Sequence, residues 1–163
     1  MKNTALLCHD LALHLRDQNW MLTTAESCTG GLIAAACTDL AGSSDWFERG
    51  FVTYSNAAKT ELLSVPLELI DTHGAVSEAV VRAMALGALT HSKAQISIAV
   101  TGVAGPGGGS IRKPVGTVWL GWGLQGQILT ECQHFSGDRA QVRAATVHYA
   151  LSKLLTLLTQ TPN

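Results

Sequence analysis

ISIAVTGVAGPGGGS, residues 96–110, runs a short apolar strand straight into a glycine-rich loop. Ile96–Val100 is a short, largely apolar run of strand length, broken only by Ser97, the pattern of a strand buried inside a covered sheet. The glycines and Pro106 that follow are the strongest loop signal in the chain, so the strand must end there. Just upstream, VSEAVVRAMALGALTHS carries a broad apolar face and is opened by Ser77 and Glu78, which reads as a long helix. Downstream, Thr117–Gly123 and Ile128–Phe135 read as a hairpin joined by a glycine-containing turn.

The same alternation extends toward the N-terminus. Residues 4–18 place Leu6, Leu7, Leu11, Leu13 and Leu15 at helical spacing, Trp20–Thr24 reads as a strand, and LIAAAC (32–37) as a small-residue helix against a sheet. Glu48–Tyr54 is the next strand, and Ser55 or Asn56 caps a short helix through Leu63. Pro66 opens a turn or short helix ending near Gly74, and Asp138 to about Leu158 is the last helix. Helices alternating with strands predict an α/β class with a largely parallel sheet. Residues 1–163 are expected to form one domain, since they show no internal repeat, linker or low-complexity tract.

Composition narrows the function classes. Hydrophobic residues are 47% and charged residues 14%, far from a disordered composition. The net charge is −1 with eleven Lys and Arg spread along the chain, which argues against a nucleic-acid surface. No run of 18 apolar residues occurs, so no membrane partner is expected. Cys8, Cys28, Cys37 and Cys132 form no CxxC pair, and no secretory leader is visible, which predicts reduced thiols and a cytoplasmic location. A surface so poor in charge predicts self-association, expected as a homodimer.

Topology concentrates the unusual residues. Crossover helices make the strands at 20–24, 48–54 and 96–100 parallel, the strand at 117–123 runs back, and the hairpin returns 128–135 to the same edge. Four loops therefore converge there: AESCTGG, YSNAAK, TGVAGPGGG and SGDR. Open α/β sheets bind ligands outside the carboxyl ends of their strands. Ser27, at a strand-to-helix turn, is placed as a nucleophile whose oxyanion the free N–H groups of the next helix could hold. Gly30 and Gly31 allow close backbone approach. The alternative is that Ser27 or Thr29 only caps the helix; the elbow G-x-S-x-G is not met, because Ala25 holds its first glycine position. Cys28 lacks an evident His-Asn partner and reads as packing.

Lys59, five residues after Tyr54, would lose pKa in a desolvated pocket and could take the Ser27 proton; the alternative is a solvated helical lysine. A short-chain dehydrogenase reading fails, because that family needs Y-x-x-x-K and places its glycine motif before the pair rather than after it. TGVAGPGGGS matches neither a P-loop nor a dinucleotide turn. Its unobstructed N–H groups could still cradle a phosphate, or the loop could be a plain lead-in to the hairpin. Arg139 sits where a helix N-terminus favours an anion, with Asp138 beside it as a cap. Glu26 is read as pointing away from the site. His9, His14, His73, His91, His134 and His148 show no metal-ligand spacing, so no metal is expected.

TTAESCTGG, WFERGFVTYSNAAK, HGAVSE, AVTGVAGPGGG, KPVGTVW and FSGDR, in that order, resemble the CinA C-terminal-domain family over about residues 5–158. The resemblance implies a three-layer α/β/α sandwich with a mixed, mostly parallel sheet containing one antiparallel strand. It also implies hydrolysis of the carboxamide of nicotinamide mononucleotide to nicotinate mononucleotide and ammonia. Carried onto this sequence, it makes Ser27 the nucleophile, Lys59 its base and Tyr54 an assisting group. It assigns Thr29, Gly30 and Gly31 to the oxyanion site, and Thr101, Gly102, Gly105, Gly107, Gly108 and Arg139 to substrate binding. No cofactor is implied, and the partner is a small nucleotide. The competing expectation is a non-catalytic nucleotide-binding or regulatory module that keeps the pocket.

Overall fold

A computed structural model describes residues 2–160. In chain order the elements are α1 (Thr4–Asp17), β1 (Leu22–Glu26), α2 (Leu32–Thr38), a 3₁₀ turn (Ser43–Asp45), β2 (Phe47–Val52), α3 (Asn56–Leu63), α4 (Leu67–His73), α5 (Glu78–Thr90), β3 (Ile96–Gly102), β4 (Thr117–Leu124), β5 (Gln127–His134) and α6 (Arg139–Gln160). Side-chain caps open several helices where the sequence placed them. Ser55 Oγ accepts from the Ala58 amide at 3.0 Å, Ser77 Oγ from Val80 at 3.3 Å and Asp138 from Gln141 at 2.9 Å. Each satisfies an amide that the first helical turn leaves without a partner.

The five strands form one sheet in the order β2-β1-β3-β4-β5. β1 pairs in parallel with both β2 and β3, while β4 runs antiparallel to β3 and β5. β4 is thus the one reversed strand, and β2, β1, β3 and β5 all end at the same edge. Period-two alternation along β3 sorts the two faces of the sheet. Ile96, Ile98 and Val100 join the core built with α1, α2 and α6, around Leu11, Leu15, Ile33, Trp122 and Leu151. Ala99 joins the opposite core with Val80, Val81, Met84 and Ala85 of α5. That second face is built of small residues, which lets α5 lie close. A side chain on Gly121 would put its Cβ 3.2 Å from the Val81 carbonyl, and Ser97 Oγ donates to the Ala85 carbonyl at 2.9 Å. The result is the expected α/β/α sandwich.

Strand boundaries move by one or two residues: β3 runs on through Thr101 to Gly102, β4 reaches Leu124 and β5 spans Gln127–His134. The shifts in β1 and β2 matter at the site. β1 spans 22–26 rather than 20–24, because its register with β3 runs from Leu22 opposite Ile96 to Glu26 opposite Val100. Thr23, Thr24 and Glu26 are fully buried there, although polar residues obscure the strand in the sequence. β2 stops at Val52, so Thr53 and Tyr54 leave the sheet. Their carbonyls are needed elsewhere.

Candidate active site

Ser27 is the first residue past β1, and its amide still donates to the Val100 carbonyl at 3.1 Å, which fixes it to the sheet edge. The chain then turns tightly: the Gly30 amide donates to the Ser27 carbonyl at 3.0 Å and the Leu32 amide to Thr29 at 3.1 Å. Gly30 and Gly31 take φ of +57° and +100°, conformations that a Cβ would strain. Among the described residues, the amides of Thr29 and Gly31 have no protein acceptor, while the Cys28 amide is turned to its own thiol. They are the unspent donors of this turn.

Lys59 reaches the serine from α3. It is 1% exposed, and its Nζ donates to Ser27 Oγ at 3.1 Å, to the Thr53 carbonyl at 2.9 Å and to the Tyr54 carbonyl at 3.3 Å. No carboxylate forms an ion pair with it among the described residues. Burial therefore pulls its pKa below the usual lysine value, with a smaller opposing effect from Cys28. The early end of β2 is what frees the Thr53 and Tyr54 carbonyls to hold this amine. Cys28 is 6% exposed and its thiol is pushed up to about 11, chiefly by desolvation. At neutral pH it is a protonated thiol and a poor nucleophile.

The remaining loops close on this pair. Arg139, the first residue of α6, donates to the Tyr54 hydroxyl and to the Gly105 carbonyl, both at 2.9 Å. It ties the YSNAAK, glycine-rich and SGDR loops together. The Tyr54 side chain is exposed and aims at Arg139, while its carbonyl serves Lys59. The glycines divide by role. A Cβ on Gly102 would sit 2.7 Å from Val118 Cγ2 and one on Gly105 2.5 Å from Val115 Cγ1, so both are small in order to pack. Gly107 has nothing within 4 Å of a Cβ, and Gly108 meets only Val103 at 3.7 Å. Those two are the open stretch of backbone. Thr101 is buried, with its hydroxyl donated to the Ala75 carbonyl at 2.9 Å, which places it in the framework beneath the loop.

The family model for the CinA C-terminal domain matches residues 5–158. This chain belongs to that family. It is 54% identical over 152 residues to the nicotinamide-nucleotide amidohydrolase PncC of Enterobacter agglomerans, covering 90% of this chain and 93% of the relative. To the protein of the same name from Pseudomonas putida it is 56% identical over 150 residues, covering 92% and 94%. The crystal structure of competence damage-inducible protein A (ComA) from Klebsiella pneumoniae subsp. pneumoniae MGH 78578 superposes with a TM-score of 0.95 at 43% identity, covering 99% of this chain and all of that one.

Two residues of this CinA domain escape the sequence reading. Glu26 does not simply face away. It is buried beneath the serine turn, where Oε1 accepts from Thr29 Oγ1 at 2.6 Å and from the Ile33 amide at 2.8 Å, and Oε2 from Ala34 at 3.0 Å. The carboxylate thus caps α2 from the preceding strand, so the helix amides at 33 and 34 are spent and the oxyanion donors must come from the turn itself. It also engages the Thr29 hydroxyl, leaving that residue's amide as its free donor. Only a strand boundary two residues later, which puts Glu26 next to the helix N-terminus, could have revealed this.

Arg143 is the second. Its Nε donates to the Cys28 carbonyl at 3.1 Å and its Nη2 to the Thr29 carbonyl at 3.2 Å. It follows Arg139 by one helical turn, so the two share a face of α6.

Glu26→Ala should strand two amides and a hydroxyl in the protein interior. The expected cost is on the order of 2–4 kcal/mol, or a Tm lower by roughly 5–15 °C for a domain of this size. Thermal unfolding checks it; an unchanged Tm would mean that the cap is replaceable by water.

Proposed function

We propose that this protein hydrolyses the carboxamide of nicotinamide mononucleotide to nicotinate mononucleotide and ammonia through a Ser27–Lys59 acyl-enzyme. One observation carries the chemistry: a fully buried lysine with no carboxylate partner among the described residues, 3.1 Å from a serine hydroxyl at the edge of the sheet. The relatives named nicotinamide-nucleotide amidohydrolases support a substrate of that class, for which nicotinamide mononucleotide is proposed. Neutral Lys59 takes the Ser27 proton as Oγ attacks the carboxamide carbon. The tetrahedral oxyanion is held by turn amides, of which, among the described residues, Thr29 and Gly31 have donors to spare. Lys59 returns the proton to the amine nitrogen, ammonia leaves, and water delivered through the same base hydrolyses the acyl ester.

Arg139 and the open backbone at Gly107 and Gly108 are suited to the nucleotide's phosphate, the arginine by charge and the glycines by exposed amides. Tyr54, through its hydroxyl, orients that arginine. The four free cysteines accord with a reducing, cytoplasmic setting, and no helix of the described residues is long and apolar enough to cross a membrane.

The decisive assay incubates the purified protein with nicotinamide mononucleotide and follows ammonia and nicotinate mononucleotide together. Stoichiometric release of both is expected. Saturable binding with no turnover would overturn the enzymatic reading in favour of a nucleotide-binding module. We further propose a homodimer, since Leu86 stands exposed in a groove of about 600 Å³ lined by Leu63, Pro66, Leu69 and Ala83, and Leu62 and Leu67 are exposed on α3 and α4. Sedimentation at micromolar concentration should give twice the chain mass; a monomer mass would refute it.

A further inference from the structure

We propose that Arg143 is a positioning residue that charges the oxyanion site through the peptide groups of the serine turn. This rests on the amidohydrolase reading of Ser27 and Lys59. Arg143 comes from α6, the last helix, and crosses to the loop after β1 to bond two successive carbonyls. Each of those carbonyls shares a peptide group with the amide of the next residue. The Cys28 carbonyl is conjugated with the Thr29 amide, and the Thr29 carbonyl with the Gly30 amide.

A guanidinium on a carbonyl oxygen draws electron density toward it and makes the attached N–H a stronger donor, the cooperativity of a hydrogen-bond chain. The two peptides then do different things. The Gly30 amide donates to the Ser27 carbonyl, so a stronger Gly30 donor tightens the turn that carries the nucleophile. The Thr29 amide has no protein acceptor among the described residues, and its side chain is held away by Glu26. Strengthened, it is left for the charge that develops on the substrate oxygen. Arg143 therefore acts on the reacting atoms without touching them. No carboxylate forms an ion pair with this arginine among the described residues, so its charge is not spent elsewhere.

Arg143→Met, Arg143→Lys and Arg143→Ala test this in the full chain, with ammonia release for kcat and KM and thermal unfolding for stability. Arg143→Met should lower kcat by about tenfold or more, a fraction of what losing a whole oxyanion donor costs, with KM within about threefold of wild type. Arg143→Lys should recover only part of the loss, because an ammonium cannot bond two carbonyls in the forked geometry. Millimolar guanidinium, well below denaturing concentrations, should raise kcat of Arg143→Ala saturably, while equal sodium chloride should not. A higher KM at unchanged kcat would overturn the proposal by making Arg143 a substrate-binding cation. So would loss of activity that follows loss of folded protein with no guanidinium rescue.

A second readout separates this from the substrate assignment. A fluorophosphonate probe reports Ser27 reactivity whatever the natural substrate is. Wild type labelled at Ser27 with slower labelling in Arg143→Met supports the proposal even if nicotinamide mononucleotide is not turned over. Equal labelling rates in the two would overturn it even if the mononucleotide is the substrate.

Discussion

Ser27→Ala should abolish ammonia release, with kcat down on the order of a thousandfold or more, as expected when a covalent nucleophile is deleted. The fold should survive. Ser27 stays tied to the sheet through its backbone amide, and among the described residues its hydroxyl's one protein partner is Lys59 Nζ, which keeps two carbonyl acceptors. The matched control is Cys28→Ala, one residue on. That thiol is buried and held protonated, so its removal deletes a little packing and should leave most of the activity. Circular dichroism, thermal unfolding and steady-state kinetics on the two variants check this. If the two outcomes were exchanged, the enzyme would be a thiol hydrolase, and the serine a cap.

The contrast between these neighbours also shows what the sequence can carry. Strand direction is legible in the sequence, because ISIAV, the flanking helices and the glycine loop leave few ways to build a covered sheet; the order β2-β1-β3-β4-β5 comes from the structure. The convergence of four loops follows from direction alone, and the Lys59–Ser27 contact lies where that convergence puts it. What stayed hidden depends on one-residue details of backbone geometry. Glu26 looked like an outward strand residue until β1 shifted by two and set its carboxylate under α2. Arg143 carries no local signature, because the groups it holds lie 114 and 115 residues away in the chain and are carbonyls, which every residue has. The glycine-rich loop, conversely, gave a stronger signal than its ligand-facing content warrants. Gly102 and Gly105 are required by Val118 and Val115 behind them, so only part of the run is free to meet a phosphate.

Lys59→Arg should be nearly as damaging as Lys59→Ala, each lowering kcat by roughly 10²–10⁴, the range for a lost general base. An electrostatic partner of Ser27 would keep its charge as arginine, whereas a base would be lost, since a guanidinium does not deprotonate in a protein. Size alone complicates that comparison: Lys59 is 1% exposed, and a longer fork must displace its neighbours. Rescue of Lys59→Ala by small primary amines removes the ambiguity. The cavity left by the side chain lies beside Ser27 and keeps the Thr53 and Tyr54 carbonyls as acceptors, so methylamine can occupy it and take the proton. Recovery should grow with the fraction of unprotonated amine. The pH dependence of the wild type follows from the direction of the shift. Burial disfavours the ammonium, so the neutral, competent form of Lys59 is populated at lower pH than in a solvated lysine. kcat/KM should rise with pH through that lowered pKa and level off above it. The same sign governs stability: below the lowered pKa the fold bears the cost of a buried charge, and stability should increase as pH passes from there toward the ordinary lysine value. Near-wild-type activity in Lys59→Arg, or no amine rescue of Lys59→Ala together with a flat pH profile, would remove Lys59 as the base and leave a bound water to do its work.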